Sequence, residues 1–317
     1  GGVTFTHDQG VANHFTPPGF SSYELSGLQG CFSYMSCEQL TNFVCCVATY
    51  DHVTGDHTWT TRHADLLANC LESLCNRDHP DPDQRNGLMA LDSSRTGDGA
   101  EITTYDSLDT SLGQARQNVY LGVKAWASYV LLEKLLTRLG RDHLAETARQ
   151  QAGRAAETVA SQADESGLIP AVLFEGNRAY IIPVVEGLVF PAVAGASEAV
   201  AEDGPYAELI AALRRHVEAV LQPGRCLFDD HGWKLSTTSI NSWLSKTYLC
   251  QHVVRYVLKL GTPKDHAAAD RAHAGWLRRE ENAYWAWSDQ MHAGTAKGSR
   301  YYPRGVTSAL WLTETDV

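Results

Sequence analysis

Apolar positions along this chain recur at helical spacing, in blocks separated by polar turns. Leu40, Phe43, Val44 and Val47 share one face and predict a helix over residues 36–51. Ser36-Cys-Glu-Gln39 has the form of a capping box at its start. Leu67, Leu71 and Leu74 mark a second helix over residues 60–76, which Asn76-Arg-Asp-His-Pro-Asp-Pro-Asp83 stops with two prolines and a cluster of aspartates. Ser111-Leu-Gly-Gln114 reads as another capping box. It opens a helix carrying Val119, Val123, Trp126, Val130 and Leu131 as far as Leu139, where Gly140 is a natural stop. Asp142 is expected to cap the next helix. Its stripe of Leu144, Ala148, Ala152, Ala155 and Val159 is rich in small residues and predicts close helix–helix packing. Further helices are predicted over residues 206–221, 241–260 and 265–279, and a last apolar turn over 306–312.

No segment sustains the period-two alternation of a half-buried strand. The chain therefore reads as all-α, with helix pairs joined by alternately short and long connections. That pattern suits an (α/α)6 barrel, a toroid of inner and outer helices with its site at one end. Roughly eight or nine helices are countable where six pairs would close the ring, so the barrel is expected to be incomplete. Residues 1–35 are rich in Gly, Pro, Ser and aromatics and read as a long ordered loop feeding the first helix. The connection from Asp83 to Asp109 is longer than compact domains usually carry without a function for it.

Composition narrows the field. The 317 residues allow one large domain or two ordinary ones. Net charge is −11, which argues against nucleic acid or an acidic membrane as partner, since both demand a basic face. No apolar run is long enough to span a bilayer. The N-terminus has neither the basic nor the apolar region of a signal peptide, and it lacks an initiator Met, so part of a longer protein is expected. None of the eight cysteines forms C-x-x-C, and several fall inside apolar helical patterns, as reduced core thiols of a cytoplasmic protein would. There is no H-E-x-x-H and no tight His/Cys cluster, so no metal site is expected.

Four stretches combine aromatics with hydrogen-bonding side chains, the mixture that holds a neutral sugar. The first is Phe5-Thr-His-Asp8. The second holds Asp92, Arg95, Thr104, Tyr105 and Asp106. The third is Ser239-Ile-Asn-Ser-Trp-Leu-Ser-Lys246. The fourth joins Trp285-Ala-Trp-Ser-Asp289 to Ser299-Arg-Tyr-Tyr-Pro-Arg304. In the second, Glu101-Ile-Thr-Thr-Tyr-Asp-Ser-Leu-Asp109 runs into the longest helical pattern, and Asp106 is the candidate proton donor. Plainer readings stand beside these. Asp109, two residues before a cap, has the place of a turn or capping carboxylate. His7-Asp8 has the form of an ordinary buried pair. Glu186 sits where it would satisfy backbone near Pro191. Trp285 and Trp287 could be core, and Arg300 and Arg304 could pair with any of the surplus carboxylates.

The same stretches resemble the C-terminal part of glycoside hydrolase family 52, the β-xylosidases. The resembling motifs are Phe5-Thr-His-Asp-Gln-Gly-Val-Ala-Asn13, Asn76-Arg-Asp-His-Pro-Asp-Pro82, Ile102-Thr-Thr-Tyr-Asp-Ser-Leu-Asp109, Ser111-Leu-Gly-Gln-Ala-Arg116, Glu186-Gly-Leu-Val-Phe-Pro191, Asn241-Ser-Trp-Leu-Ser-Lys246 and Tyr301-Tyr-Pro-Arg-Gly-Val-Thr-Ser308. They run through nearly the whole chain.

The resemblance implies an N-terminal β-sandwich followed by the barrel, of which residues 1–317 would be the C-terminal part. It implies exo-acting, retaining hydrolysis of short β-xylo-oligosaccharides, without a cofactor, by a cytoplasmic homodimer. Asp106 matches the family's acid/base aspartate. By looser analogy His7, Asp8, Thr104, Tyr105, Trp243, Asp289, Arg300 and Arg304 would bind substrate. The family's nucleophile is a glutamate in a Gly-Glu-Tyr type motif. No such motif precedes His7, so the missing N-terminal region of the same enzyme is expected to supply it. A non-catalytic sugar-binding or scaffold role is the other reading.

Overall fold

The computed structural model describes residues 2–5, 36–90, 108–285 and 289–297. Within them the chain is all-α apart from one small sheet. The helices are α1 (Ser36–Thr54), α2 (Thr58–Arg62), α3 (Ala64–Asp78), α4 (Val119–Arg138), α5 (Asp142–Ala160), α6 (Val189–Val193), α7 (Ala207–Val220), α8 (Leu244–His252) and α9 (Pro263–Leu277). A 3-10 stretch, Ile182–Leu188, precedes α6. None of these helices is long and apolar enough to cross a membrane. Closure of a six-pair ring remains an expectation, and residues 306–312 lie outside the described residues.

Helix α4 is the axis of the core. Every residue from Val119 to Leu132 is buried, so it is apolar nearly all round rather than amphipathic. It packs on α1, on α5 and on Ile182–Leu188. Helix α5 presents Ala148, Ala152, Ala155 and Ala156, all buried, and these small side chains let its neighbours come close. Gly87 takes φ +86° directly against Ala155, where a Cβ would lie 2.2 Å from the Ala155 backbone nitrogen.

Several boundaries differ from the sequence reading. Helix α4 begins at Val119, not beside Ser111, because Gln117 adopts φ 51° and Asn118 caps the helix by accepting from Leu121 N–H at 3.2 Å. Residues Thr110–Leu112 form a separate 3-10 turn instead. The expected helix over 60–76 is two, broken at His63 (φ −109°, ψ 28°). The expected helix over 241–260 starts with a strand and ends in a π-helical stretch, Val253–Val257.

That strand, β1 (Asn241–Trp243), pairs antiparallel with β2 (Gln290–His292), which pairs antiparallel with β3 (Thr295–Ala296). The register sets Asn241 opposite His292 and Trp243 opposite Gln290. Met291 and Ala296 pack with Leu244 and Trp276 in a small second core. The seven cysteines among the described residues are free, and all but Cys46 are buried.

Candidate active site

Three helix N-termini gather charged side chains into one buried group. Glu38 lies in the first turn of α1, Tyr120 and Lys124 in the first two turns of α4, and Lys246 in the first turn of α8. Glu186 comes from Ile182–Leu188. Lys124 Nζ donates to Glu38 Oε1 at 3.0 Å, Asn42 Oδ1 at 2.6 Å and Glu186 Oε1 at 3.3 Å. Tyr120 donates its hydroxyl proton to Glu38 Oε1 at 2.6 Å. Lys246 Nζ donates to the Tyr120 oxygen at 2.6 Å and to Glu186 Oε1 at 2.9 Å.

The formal charges cancel, two carboxylates against two ammonium groups, as burial requires. Burial pushes the Glu38 carboxyl up. Lys124, Lys246 and the Tyr120 hydroxyl together outweigh burial and hold it well below the usual carboxylate range. Burial would lower Lys124, but Glu38 and Glu186 outweigh it and hold the ammonium charged. Lys246 is the most open of the four charged side chains at 17% exposure, against 1% for Lys124, 7% for Glu38 and 3% for Glu186. The group offers fixed charge and fixed donors, and its Glu38 carboxylate is committed to ion pairs.

One stretch that the sequence marks feeds this group: β1, which carries Trp243, opens α8. The structure brings Trp243 and Asp289 together. Leu244 N–H donates to the Asp289 carbonyl at 2.9 Å. Ser245 N–H donates to Asp289 Oδ1 at 2.7 Å, and its hydroxyl to Oδ2 at 2.9 Å. Buried Asp289 thus caps α8 from across the sheet, and Trp243 is half-buried against the core. At the other end of the chain Phe5 stacks on Phe43 of α1, ring centroids 4.0 Å apart.

Asp109 is a capping carboxylate, as its place in the sequence suggests. Its Oδ1 accepts from Ser111 N–H at 3.0 Å and from the Ser111 hydroxyl at 2.7 Å. Its Oδ2 accepts from the Ser236 and Thr238 hydroxyls. Burial raises this carboxyl, but the Ser236, Thr238 and Ser111 donors outweigh burial and hold it below its ordinary value. Asp106 lies outside the described residues, as do His7, Asp8, Thr104, Tyr105, Arg300 and Arg304.

The sequence reading missed Glu38, Asn42, Tyr120, Lys124 and Lys246 as a group, and it gave Glu186 to nearby backbone. The side-chain partners of Glu186 are Lys124, Lys246 and Tyr120. One signal was present: Lys124 is a lone charge inside an apolar run that is buried on all sides. Among the described residues no group of three His, Cys, Asp or Glu is placed to hold a metal ion.

Comparison with known sequences gives this arrangement a class. The family model described as Glycosyl hydrolase family 52 matches residues 1–50. A β-xylosidase of Geobacillus stearothermophilus is 54% identical over 313 residues, covering 99% of this chain and 44% of that protein. Another β-xylosidase from the same organism is 42% identical over 175 residues, covering 55% of this chain and 27% of that protein. The chain is thus similar, along nearly its whole length, to part of a glycoside hydrolase. The family it resembles is glycosyl hydrolase family 52, whose model matches its first 50 residues. It spans less than half the length of the relatives it matches.

Proposed function

We propose that this chain is the acid/base-bearing portion of a retaining, exo-acting β-xylosidase that cleaves terminal xylose from short xylo-oligosaccharides. The observation that carries this reading is the 54% identity, sustained over 99% of the chain, to a β-xylosidase. In this reading Asp106 is the acid/base, and His7, Asp8, Thr104, Tyr105, Trp243, Arg300 and Arg304 line the sugar site. Asp289 contributes by holding the first turn of α8. In this reading the nucleophilic glutamate and a β-sandwich come from the N-terminal region of the same enzyme. The active form is a cytoplasmic homodimer.

The chemistry follows from two carboxyl groups about 5–5.5 Å apart across the glycosidic bond. Protonated Asp106 gives its proton to the glycosidic oxygen, the alcohol leaves, and the glutamate carboxylate bonds the anomeric carbon. Water then attacks that carbon and passes a proton to the Asp106 carboxylate. Xylose departs, and the glutamate is freed. The neighbouring carboxylate keeps Asp106 protonated before the first step, and esterification of the glutamate removes that influence for the second.

The test is hydrolysis of an aryl β-xyloside by this chain alone and by the chain supplemented with the N-terminal part of the related β-xylosidase. Activity confined to the mixture is the expected result. Asp106→Ala should then lose most rate on poor leaving groups and recover part of it with azide. Turnover by the 317 residues alone would place a second catalytic carboxylate within them and defeat the division of labour. Xylose binding without turnover in either preparation would favour a sugar-binding role instead.

A further inference from the structure

Helices α1 and α4 run side by side in the same direction. Glu38 meets Lys124 near their N-termini at 3.0 Å, and Asp51 meets Arg138 near their C-termini at 2.7 Å. Roughly 15–20 Å of helix separates the two meetings. At the C-terminal end, α1, α4 and the end of α6 border a cavity of about 350 Å³. Its apolar wall is Ala48, Leu131 and Leu135, all buried. Its polar wall is Asp51, His52, His57, Lys134 and Arg138. In a chain of net charge −11, four of these five side chains are basic.

Each polar group has a local task, and the tasks leave donors over. Buried Asp51 has both oxygens engaged. Its Oδ1 accepts from Arg138 and from the Thr60 hydroxyl, and its Oδ2 lies 3.1 Å from His57 Nδ1. Lys134 Nζ donates to the Ala194 carbonyl at 3.0 Å and to the Gly195 carbonyl, at the end of α6. An ammonium has three protons, so one remains, and Lys134 has no carboxylate partner among the described residues. Arg138 gives one terminal nitrogen to Asp51 and Thr60, and its guanidinium has further N–H groups. Asp56, the carboxylate next to His57 in sequence, lines a neighbouring depression. Two fixed cations thus stand against one carboxylate, and two imidazoles can add to them.

Gly195 shows how closely these groups converge. It has φ +71°, and a Cβ there would lie 2.6 Å from His52 Nδ1 and 2.5 Å from Lys134 Nζ. The two nitrogens are therefore within about 5 Å of each other, beside a residue whose missing side chain leaves them room. Two basic groups at that spacing repel when both are charged, and an anion between them turns repulsion into attraction.

We propose that this cavity binds a phosphate group, held by Lys134, Arg138 and His52 with His57 at its edge. Donors that come from two helices and a turn surround a tetrahedral oxyanion better than a planar carboxylate, and charged donors make the strong hydrogen bonds that such an anion needs. The volume exceeds that of a bare phosphate and falls at the small end of ligand-binding clefts, so a phosphorylated sugar belongs to the same class as the free ion. The site lies at the far end of α1 and α4 from the Glu38–Lys124 group and does not depend on the reading of Asp106.

The experiment is isothermal titration of the 317-residue chain at low ionic strength, with inorganic phosphate and with glucose 6-phosphate. The expected result is saturable binding at one site per chain. Lys134→Gln should weaken it at least tenfold and His52→Gln at least threefold. Lys264→Gln makes the same change in charge on α9, which lines no part of this cavity, and should stay within twofold of the parent. Tighter binding of glucose 6-phosphate would identify a phosphorylated sugar as the ligand, and equal or weaker binding the free ion. No saturable binding at millimolar phosphate, or an equal loss in Lys264→Gln, overturns the proposal. Displacement of phosphate by xylose would make the cavity a sugar site and also overturns it. Lys134→Gln keeps an amide donor for the carbonyls of Ala194 and Gly195. Should it fail to fold, His52→Gln, at an exposed position, carries the test. Phosphate should also raise the thermal midpoint of the parent, because it binds the folded chain, and should raise that of His52→Gln less. An unchanged parent midpoint would count against the site as the titration does.

Discussion

Lys246 Nζ lies 2.6 Å from the Tyr120 hydroxyl oxygen, joining the first turn of α8 to the first turn of α4 across 126 residues of sequence. Tyr120 passes the link on by donating to Glu38 at the start of α1. Three helix starts that also share apolar contacts are thus linked by one chain of charge-assisted hydrogen bonds. Such an arrangement is specific because it tolerates only one register between the helices, and costly because each charge must leave water.

Removing one member of that group should therefore be severe. Lys124→Met leaves Glu38 and Glu186, both buried, to share the single ammonium of Lys246. Breaking a buried pair from one side costs about 3–5 kcal/mol, because the remaining charge is stranded. Denaturant unfolding of the chain should show a loss of that order. Glu38→Gln placed on the same background should recover part of it by removing the stranded charge. A double variant no more stable than Lys124→Met would mean that packing, and not charge balance, sets the cost.

Gly87 separates two kinds of glycine requirement. Gly55 also has a positive φ, +67°, but a Cβ there meets open space. Gly55→Ala should cost only backbone strain, about 1 kcal/mol. At Gly87 the same strain is joined by a Cβ 2.2 Å from the backbone of α5, which cannot swing aside as a side chain would. Gly87→Ala should therefore cost at least ~2–3 kcal/mol. Equal thermal shifts for the two variants would mean that α5 moves away more readily than its all-alanine contact suggests.

Acid should destabilise this protein through its buried histidines. His216 Nδ1 accepts from Ile169 N–H at 2.9 Å, and Nε2–H donates to the Ile181 carbonyl at 2.9 Å, so both ring nitrogens are engaged in the neutral form. Burial pushes this imidazole down to about 4, against the opposing pull of the Ile181 carbonyl and Asp164. Between that value and the ordinary 6.5 the unfolded chain binds a proton that the folded chain does not. Stability present above pH 6.5 is thus lost as pH falls toward about 4, by on the order of 3 kcal/mol for this group. His273, also pushed down to about 4 by burial, steepens the same decline. His216→Gln can keep one donor and one acceptor, so its stability should fall less steeply between pH 6.5 and 4 than the parent's. An identical slope would assign the acid sensitivity elsewhere.

How much of this was legible in sequence depended on range. The stripe of α5 follows from local apolar spacing, and the structure buries its Ala148, Ala152, Ala155 and Val159; of the α1 stripe it buries Leu40 and Val44 and leaves Phe43 and Val47 half-buried. The start of α4 was misplaced because Ser111 and Gln114 fit a capping box locally. In the fold the Ser111 hydroxyl is taken by Asp109, and Gln117 turns into the left-handed region. Residues 241–243 were read as helix because three residues carry too little periodicity to mark a strand whose partner lies almost fifty positions on. The ion group was invisible for the same reason. Glu38, Lys124, Glu186 and Lys246 are each an isolated charge in sequence, and only the meeting of four elements makes them a unit.

Asp289 offers a direct choice between two roles. Its carboxylate accepts from Ser245 N–H and from the Ser245 hydroxyl, which satisfies an N–H that the first turn of α8 would otherwise leave without an acceptor. A negative charge is also favoured at a helix N-terminus. Asp289→Ala removes the acceptor and the charge, and leaves the backbone bond from Leu244 in place. The loss expected for such a cap is about 1–2 kcal/mol, and Asp289→Asn, which keeps one acceptor oxygen, should lose roughly half as much. Exchange at the Ser245 amide should rise in the same order. Because Trp243 and Lys246 flank that turn, xylose affinity should weaken only in step with the lost cap. Full stability combined with a large loss of xylose binding would instead mean that Asp289 meets the sugar itself and that its bond to Ser245 yields when substrate arrives.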